Sequence, residues 1–110
     1  MIEAALRAIS EPHRREILRL VAEDERSAGE IASHFDVTRP AISLHLRVLQ
    51  DAGLLHVRRD GTKRMYHVRS ASLDELRSFL SDFWGDSLAR LKDVAEDAER
   101  HGGAGQGKGR

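Results

Sequence analysis

Residues 36–55 read DVTRPAISLHLRVLQDAGLL, and the fold turns on what the two sides of this segment face. Thr38 can accept a hydrogen bond from an otherwise unpaired amide of a first helical turn, and Pro40 falls where a missing N–H costs little. Gly53 supplies a stop, because glycine enters left-handed backbone without a steric penalty. Between them, Ala41, Ile42, His45, Leu46, Val48, Leu49 and Ala52 share one broad helical face. Arg39, Ser43, Arg47 and Gln50 fall on the opposite face, and no acid intervenes until Asp51. A face that only meets water usually mixes both signs. Two arginines with hydroxyl and amide donors suit a polyanion. His45, on the apolar side, reads as a helix-orienting core residue rather than a contact residue.

Upstream, Ser27-Ala28-Gly29-Glu30 has the spacing of a capping box, with Ser27 as cap and Glu30 reaching back. It opens a short helix that points Ile31 and Ala32 inward and closes on Phe35. Asp36-Val37 is the turn. Two helices joined in this way, the second longer, make a helix-turn-helix. Before it, Ile2 to Ile9 is a short apolar-rich helix, and Pro12 to about Glu23 carries a stripe of Ile17, Leu18, Leu20 and Val21. After Gly53 the period changes to two. Leu55, Val57 and Arg59 alternate with His56 and Arg58, and Arg64, Tyr66 and Val68 alternate with Met65 and His67. Asp60-Gly61-Thr62-Lys63 lies between the two runs, so the segment is a β-hairpin with a basic tip, a wing. Ser72-Leu73-Asp74-Glu75 reads as a second capping box, opening a long helix to about Arg100. Its stripe of Leu73, Leu76, Leu80, Phe83, Leu91, Val94 and Ala98 is widened by Phe79, Trp84 and Leu88. That is more apolar surface than an exposed terminal helix can hide on a small domain, and it asks for a partner. Gly85 is its weak point. The predicted class is therefore mainly α with a small β-hairpin: a winged helix-turn-helix of five helices and a two-stranded wing.

The chain has 110 residues, no cysteine and a formal net charge of zero. One domain, residues 1–101, and a flexible Gly-rich tail, 102–110, account for its length. The absence of cysteine removes disulfides, thiolate metal sites and cysteine catalysis together. No signal segment or membrane-length apolar run is present, so a cytoplasmic protein without a membrane partner is expected. The neutral total hides a sorted distribution. Residues 1–37 hold five arginines and eight acids, net −3; residues 38–69 hold seven basic residues and two acids, net +5; residues 70–101 hold four basic residues and eight acids, net −4. Only the middle third is built to meet an anion. No phosphate-binding loop, nucleophile motif or paired-carboxylate cleft is present, which argues against an enzyme.

With these elements in order, the sequence resembles the ArsR/SmtB family of bacterial winged-helix repressors. ISEPHRREILRLV (9–21), RPAISLHLRVLQDAGLL (39–55) and VRRDGTKRMYHV (57–68) carry the resemblance, most specifically Ser43-x-His45-Leu46-x-x-Leu49 followed by Ala52-Gly53-Leu54. It covers about residues 5–95. The resemblance implies a homodimer built from the first and last helices. Leu6, Leu76, Phe79, Leu80, Phe83, Trp84 and Leu91 are the expected interface residues. It also implies double-stranded DNA as partner, with two recognition helices in successive major grooves and the wings on the flanking backbone or minor groove. By position, Arg39, Pro40, Ser43 and Leu44 match the family's DNA contacts. Many members have arginine or another polar residue where this chain has Leu44, which can touch a thymine methyl but cannot donate to a base edge. The full DNA-facing set adds Thr38, Arg47, Arg58, Arg59, Lys63 and Arg64, the last five chiefly as phosphate neutralisers. Arg39 can bind guanine bidentately or bind a phosphate.

The family's usual metal sites are missing. The first helix of the motif, Ala28 to His34, has no thiol, and the early positions of the last helix are Glu75-Leu76-Arg77. One other pair has the geometry for an ion. If Leu55 pairs with Val68, His56 lies opposite His67, with Cβ atoms roughly 4.5–5.5 Å apart. No cofactor is required, and a nickel or zinc effector at His56 and His67 is the metal expectation, with a third ligand needed from a partner or the tail. The expected function is sequence-specific transcriptional regulation, by repression at promoter palindromes. The alternative is an interaction subunit of a regulatory complex, in which the Phe79-Phe83-Trp84 surface binds a protein co-regulator.

Overall fold

A computed structural model describes residues 2–100, and the expected tail, 102–110, lies outside the described residues. The elements are α1 (Ile2–Ala8), α2 (Pro12–Glu23), β1 (Arg26–Ser27), α3 (Ala28–Ala32), α4 (Arg39–Asp51), β2 (Leu55–Asp60), β3 (Lys63–Val68) and α5 (Ser70–Arg100). By their contacts they divide into two compact units, with the boundary between Leu76 and Arg77.

The core of the first unit follows from the apolar stripes. Ile17, Ile31, Ile42, Leu46, Leu49 and Leu54 are fully buried, so α2, α3 and α4 each contribute the face predicted for them. Burial of each such side chain is worth about 1.5–3 kcal/mol. Leu55 and Tyr66 carry the core onto the sheet. Local signals set the helix ends. Glu11 caps α2 by accepting from Arg14 N at 3.0 Å. Ser27 and Glu30 form the predicted reciprocal box, with Ser27 Oγ accepting from Glu30 N at 3.1 Å and Ser27 N donating to Glu30 Oε1 at 2.7 Å. Thr38 Oγ1 accepts from Ala41 N at 3.2 Å and starts α4. At its far end Leu54 N donates to Leu49 O and Gly53 N to Gln50 O, a Schellman closure that requires the positive φ of Gly53, 79°.

Two readings need correction. The sheet has three strands, in the order β1-β3-β2, rather than the two of the wing alone. Arg26 pairs with Tyr66 and Ser27 with Met65, both antiparallel. A two-residue strand is too short to show alternation, and Ser27 doubles as the cap of α3, which was the stronger signal. The long helix begins at Ser70, so Ser72 lies inside its first turn and does not cap it. Tertiary closure decides this start. Arg69 N donates to Leu54 O at 2.9 Å, and Arg69 O at once accepts from Ser72 N and Leu73 N. The wing itself has the predicted register, from Leu55 opposite Val68 to Asp60 opposite Lys63. It turns through Gly61-Thr62, with Gly61 at φ 67°.

Candidate nucleic-acid interface

The face of α4 opposite its buried stripe lies open. Thr38, Arg39, Pro40, Ser43, Leu44, Arg47 and Gln50 are all exposed. Burial of Ile42, Leu46 and Leu49 fixes the rotation of the helix, so this face is presented rigidly. Arg47 has Asp51 at 3.7 Å, a loose pair on an exposed surface that an external anion can compete with. Leu44 is 63% exposed, an apolar side chain held in water amid donors. That placement suits contact with a methyl group in a groove.

The wing sorts its basic residues in two ways. Arg59 lies directly opposite Arg64 in the register, both exposed. Like charges placed across a strand pair repel. Among the described residues no acid is paired with either, so an anion between them removes a cost the free protein carries. Lys63 is also exposed. Arg58 differs, because its Nε donates to Glu25 Oε2 at 3.0 Å and its Nη2 to Glu25 Oε1 at 2.6 Å. The Arg58 guanidinium holds the Glu25 carboxyl below its ordinary range. Glu25 precedes β1 and gave no sign in the sequence that it would reach the wing. The missed third strand places it there.

His56 and His67 face each other as predicted, with ring centroids 5.1 Å apart. His67 Nδ1 lies 3.4 Å from Glu25 Oε2. That nitrogen is shut off from solvent and makes no hydrogen bond, so the approach is close without the aligned geometry of a bond. Desolvation first, then the charges of Arg69 and His67, holds His56 below its usual value.

His45 is half-buried, as its wheel position implies. Its Nδ1 lies 3.2 Å from Arg14 Nη1. A guanidinium can only donate, so His45 Nδ1 accepts and its ring proton sits on Nε2. Burial, the largest influence, pushes the imidazole towards its neutral form. The ring stacks on His13 at 5.5 Å with the planes 10° apart.

Of the residues expected at a dimer interface, Leu76 is buried within the chain, Leu6 and Leu80 are half-buried, and Phe79, Phe83, Trp84 and Leu91 are exposed. On α5, Phe79 stacks on Phe83 and Phe83 meets Trp84 edge-on at 5.6 Å. Leu88 and Val94 extend the exposed apolar surface. No helix among the described residues is long and apolar enough to cross a membrane.

These features can be set against known proteins. A family model described as a helix-turn-helix domain matches residues 9–58. The HTH-type transcriptional regulator Rv2034 of Mycobacterium tuberculosis is 37% identical over 86 residues, 78% of this chain and 80% of that protein. The transcriptional repressor SdpR of Bacillus subtilis is 35% identical over 77 residues, 70% of this chain and 86% of that one. A crystal structure titled "Possible transcriptional regulator for arsenical resistance" superposes with a TM-score of 0.72 at 42% identity, covering 83% of this chain and 93% of its own. Helix-turn-helix, wing and long last helix in that order, together with these likenesses, mean that the chain belongs to the ArsR family of winged helix-turn-helix DNA-binding transcriptional regulators.

Proposed function

We propose that the protein represses transcription as a homodimer, each copy laying α4 in the major groove of one half of a promoter palindrome. The observation that carries this reading is the exposed Thr38–Arg47 face, rigidly backed by Ile42, Leu46 and Leu49 and free of acids. Arg39 and Ser43 supply base-edge or phosphate donors, and Leu44 supplies apolar contact. Arg59, Lys63 and Arg64 neutralise flanking phosphates. The exposed aromatic stretch of α5 supports a second copy as partner, with Leu6 of α1 contributing. A two-fold protein of this kind reads half-sites roughly 34–36 Å apart, one helical turn. The relative SdpR is named a repressor, which supports the sign of control. The activity is occupancy of DNA and includes no chemical step. His56 and His67 support nickel or zinc as an effector, since two imidazoles already face each other on the wing.

The test is a titration of the full chain against its own promoter region at two salt concentrations, with and without nickel and zinc, beside R39A. Tight, salt-sensitive binding that R39A weakens is the expected result. An Arg39–guanine pair accounts for roughly 1–3 kcal/mol of that loss. Absence of binding to every promoter fragment sinks the reading and favours a protein-interaction subunit that uses the α5 aromatic surface.

A further inference from the structure

A side-chain cluster at the start of α2 plays no part in the DNA reading. Among the described residues, Glu11, His13 and His45 each present a ligand atom, and these atoms lie within 4.8 Å of one another. Glu11 divides its carboxylate between two tasks. Oε1 accepts from Arg14 N and caps α2, while Oε2 lies 2.8 Å from His13 Nδ1. His45 approaches from α4, one residue from Leu44 and two from Ser43 on the exposed face. Phe35 covers one side, its ring 5.7 Å from that of His13. Arg14 is the cation at the site, its Nε anchored on Ala8 O at 2.7 Å and its Nη1 on His45.

We propose that Glu11, His13 and His45 bind a borderline divalent ion such as zinc, bracing the recognition helix α4 to the start of α2 and thereby changing DNA affinity. Two imidazoles and a carboxylate suit zinc, nickel or copper rather than calcium or magnesium, and a water completes four-coordination. A tetrahedral ion with bonds of about 2.0–2.2 Å needs its ligand atoms roughly 3.3 Å apart. Glu11 Oε2 and His13 Nδ1, at 2.8 Å, must open by about half an ångström as the ion takes the place of the proton between them. His45 must close by up to the difference from 4.8 Å. The His13 and His45 planes are nearly parallel, so their lone pairs converge only after a ring turns. His13, whose side chain is 41% exposed, has room to turn.

The proton balance is simple. The ion replaces the proton between Glu11 Oε2 and His13 Nδ1, and in neutral His13 that proton moves to Nε2. At His45 either nitrogen ends the bond to Arg14. An ion on Nδ1 displaces the guanidinium, and an ion on Nε2 leaves the ring proton on Nδ1, which can then no longer accept. Arg14 belongs to α2, so its bond to His45 already ties α2 to α4; ion binding replaces that one hydrogen bond by coordination through Glu11 and His13, and leaves Arg14 held on Ala8 of α1. This is how the site reaches the DNA-facing helix. The regulatory half of the proposal rests on the DNA reading above, and the ion-binding half does not.

The experiment titrates the full chain with cobalt(II) as a spectroscopic probe for zinc, then measures promoter affinity with and without zinc. Wild type should show the visible absorption of four-coordinate cobalt, with one equivalent per chain belonging to this site and counted apart from an ion on His56 and His67. H13A and E11Q should lose it, and H56A/H67A should keep it. The amide of E11Q retains an oxygen to cap α2, and circular dichroism checks that each variant is folded. Zinc should change wild-type DNA affinity by roughly 5-fold or more, a coupling that H13A abolishes. No cobalt binding to wild type, or binding that survives H13A and E11Q but vanishes in H56A/H67A, overturns the site. Cobalt bound as expected with DNA affinity unmoved by zinc overturns the coupling. A failed DNA reading shows differently: no fragment binds at any zinc concentration while the cobalt spectrum remains.

Discussion

Replacing Glu25 with glutamine should strengthen DNA binding at low salt, although Glu25 is not itself among the residues expected to meet DNA and acts only through Arg58. Both Glu25 oxygens are taken by Arg58, at 3.0 and 2.6 Å, in the fork geometry that suits guanidinium and carboxylate. A guanidinium held in this way is not available to a phosphate. The pair is substantially exposed, so its loss changes stability little and the effect lies in binding. Each phosphate neutralised adds about 0.9 to the slope of log affinity against log salt. Freeing Arg58 should therefore steepen the slope by about 0.9, which makes E25Q lose roughly 3.5-fold more affinity than wild type between about 50 and 200 mM salt. R58A should leave the slope unchanged, and the double variant should match R58A, because the gain passes through Arg58. Fluorescence anisotropy on a labelled promoter fragment across a salt series measures all four proteins. A slope lowered by about 0.9 in R58A with no change in E25Q refutes the reasoning. It means that Arg58 leaves Glu25 for a phosphate when DNA arrives.

Leu49→Ala removes a fully buried side chain of α4 and should cost about 2–5 kcal/mol, read as a large fall in thermal midpoint. Gly53→Ala meets nothing within 4 Å, so its cost is conformational alone, about 1–2 kcal/mol for a positive φ of 79°; denaturant midpoints with an unchanged slope check it. Acid should destabilise the fold in two stages. Burial depresses His45 below 6.5, so the stability it contributes is present above that pH and declines below it. Hydrogen bonds from His13, Arg58 and the Ser27 amide respectively hold Glu11, Glu25 and Glu30 below 4.5, Glu11 to about 2. Their contribution is present above 4.5 and is lost as pH falls from there towards 2. Urea midpoints between pH 8 and 3, spanning roughly the carboxylate and histidine ranges, should be level at the top and fall through both windows; a midpoint that rises on acidification contradicts the assignment.

Most helix boundaries were legible because each is set within four residues of chain. The Ser27 box, the Thr38 cap and the Gly53 stop are short-range hydrogen bonds whose donors and acceptors can be read off spacing. The two faces of α4 and the register of His56 against His67 followed from periods of 3.6 and 2. The start of α5 was misread for the opposite reason. A capping spacing at Ser72 was present, but the bond from Arg69 N to Leu54 O, closed across the hairpin, placed the helix start at Ser70.

Sequence alone determined the order of elements, the rotation of α4 and the concentration of positive charge in residues 38–69, because these depend on residue type and local period. Tertiary structure alone decided which charges are free. Glu25 and Arg58 lie 33 residues apart and pair because β1 joins the sheet beside β3. Arg14 and His45 lie 31 apart and meet because the buried stripes of α2 and α4 pack together. Coulomb energy and coordination depend on distance in space, and sequence spacing gives that distance only within a helix turn or across a known strand register.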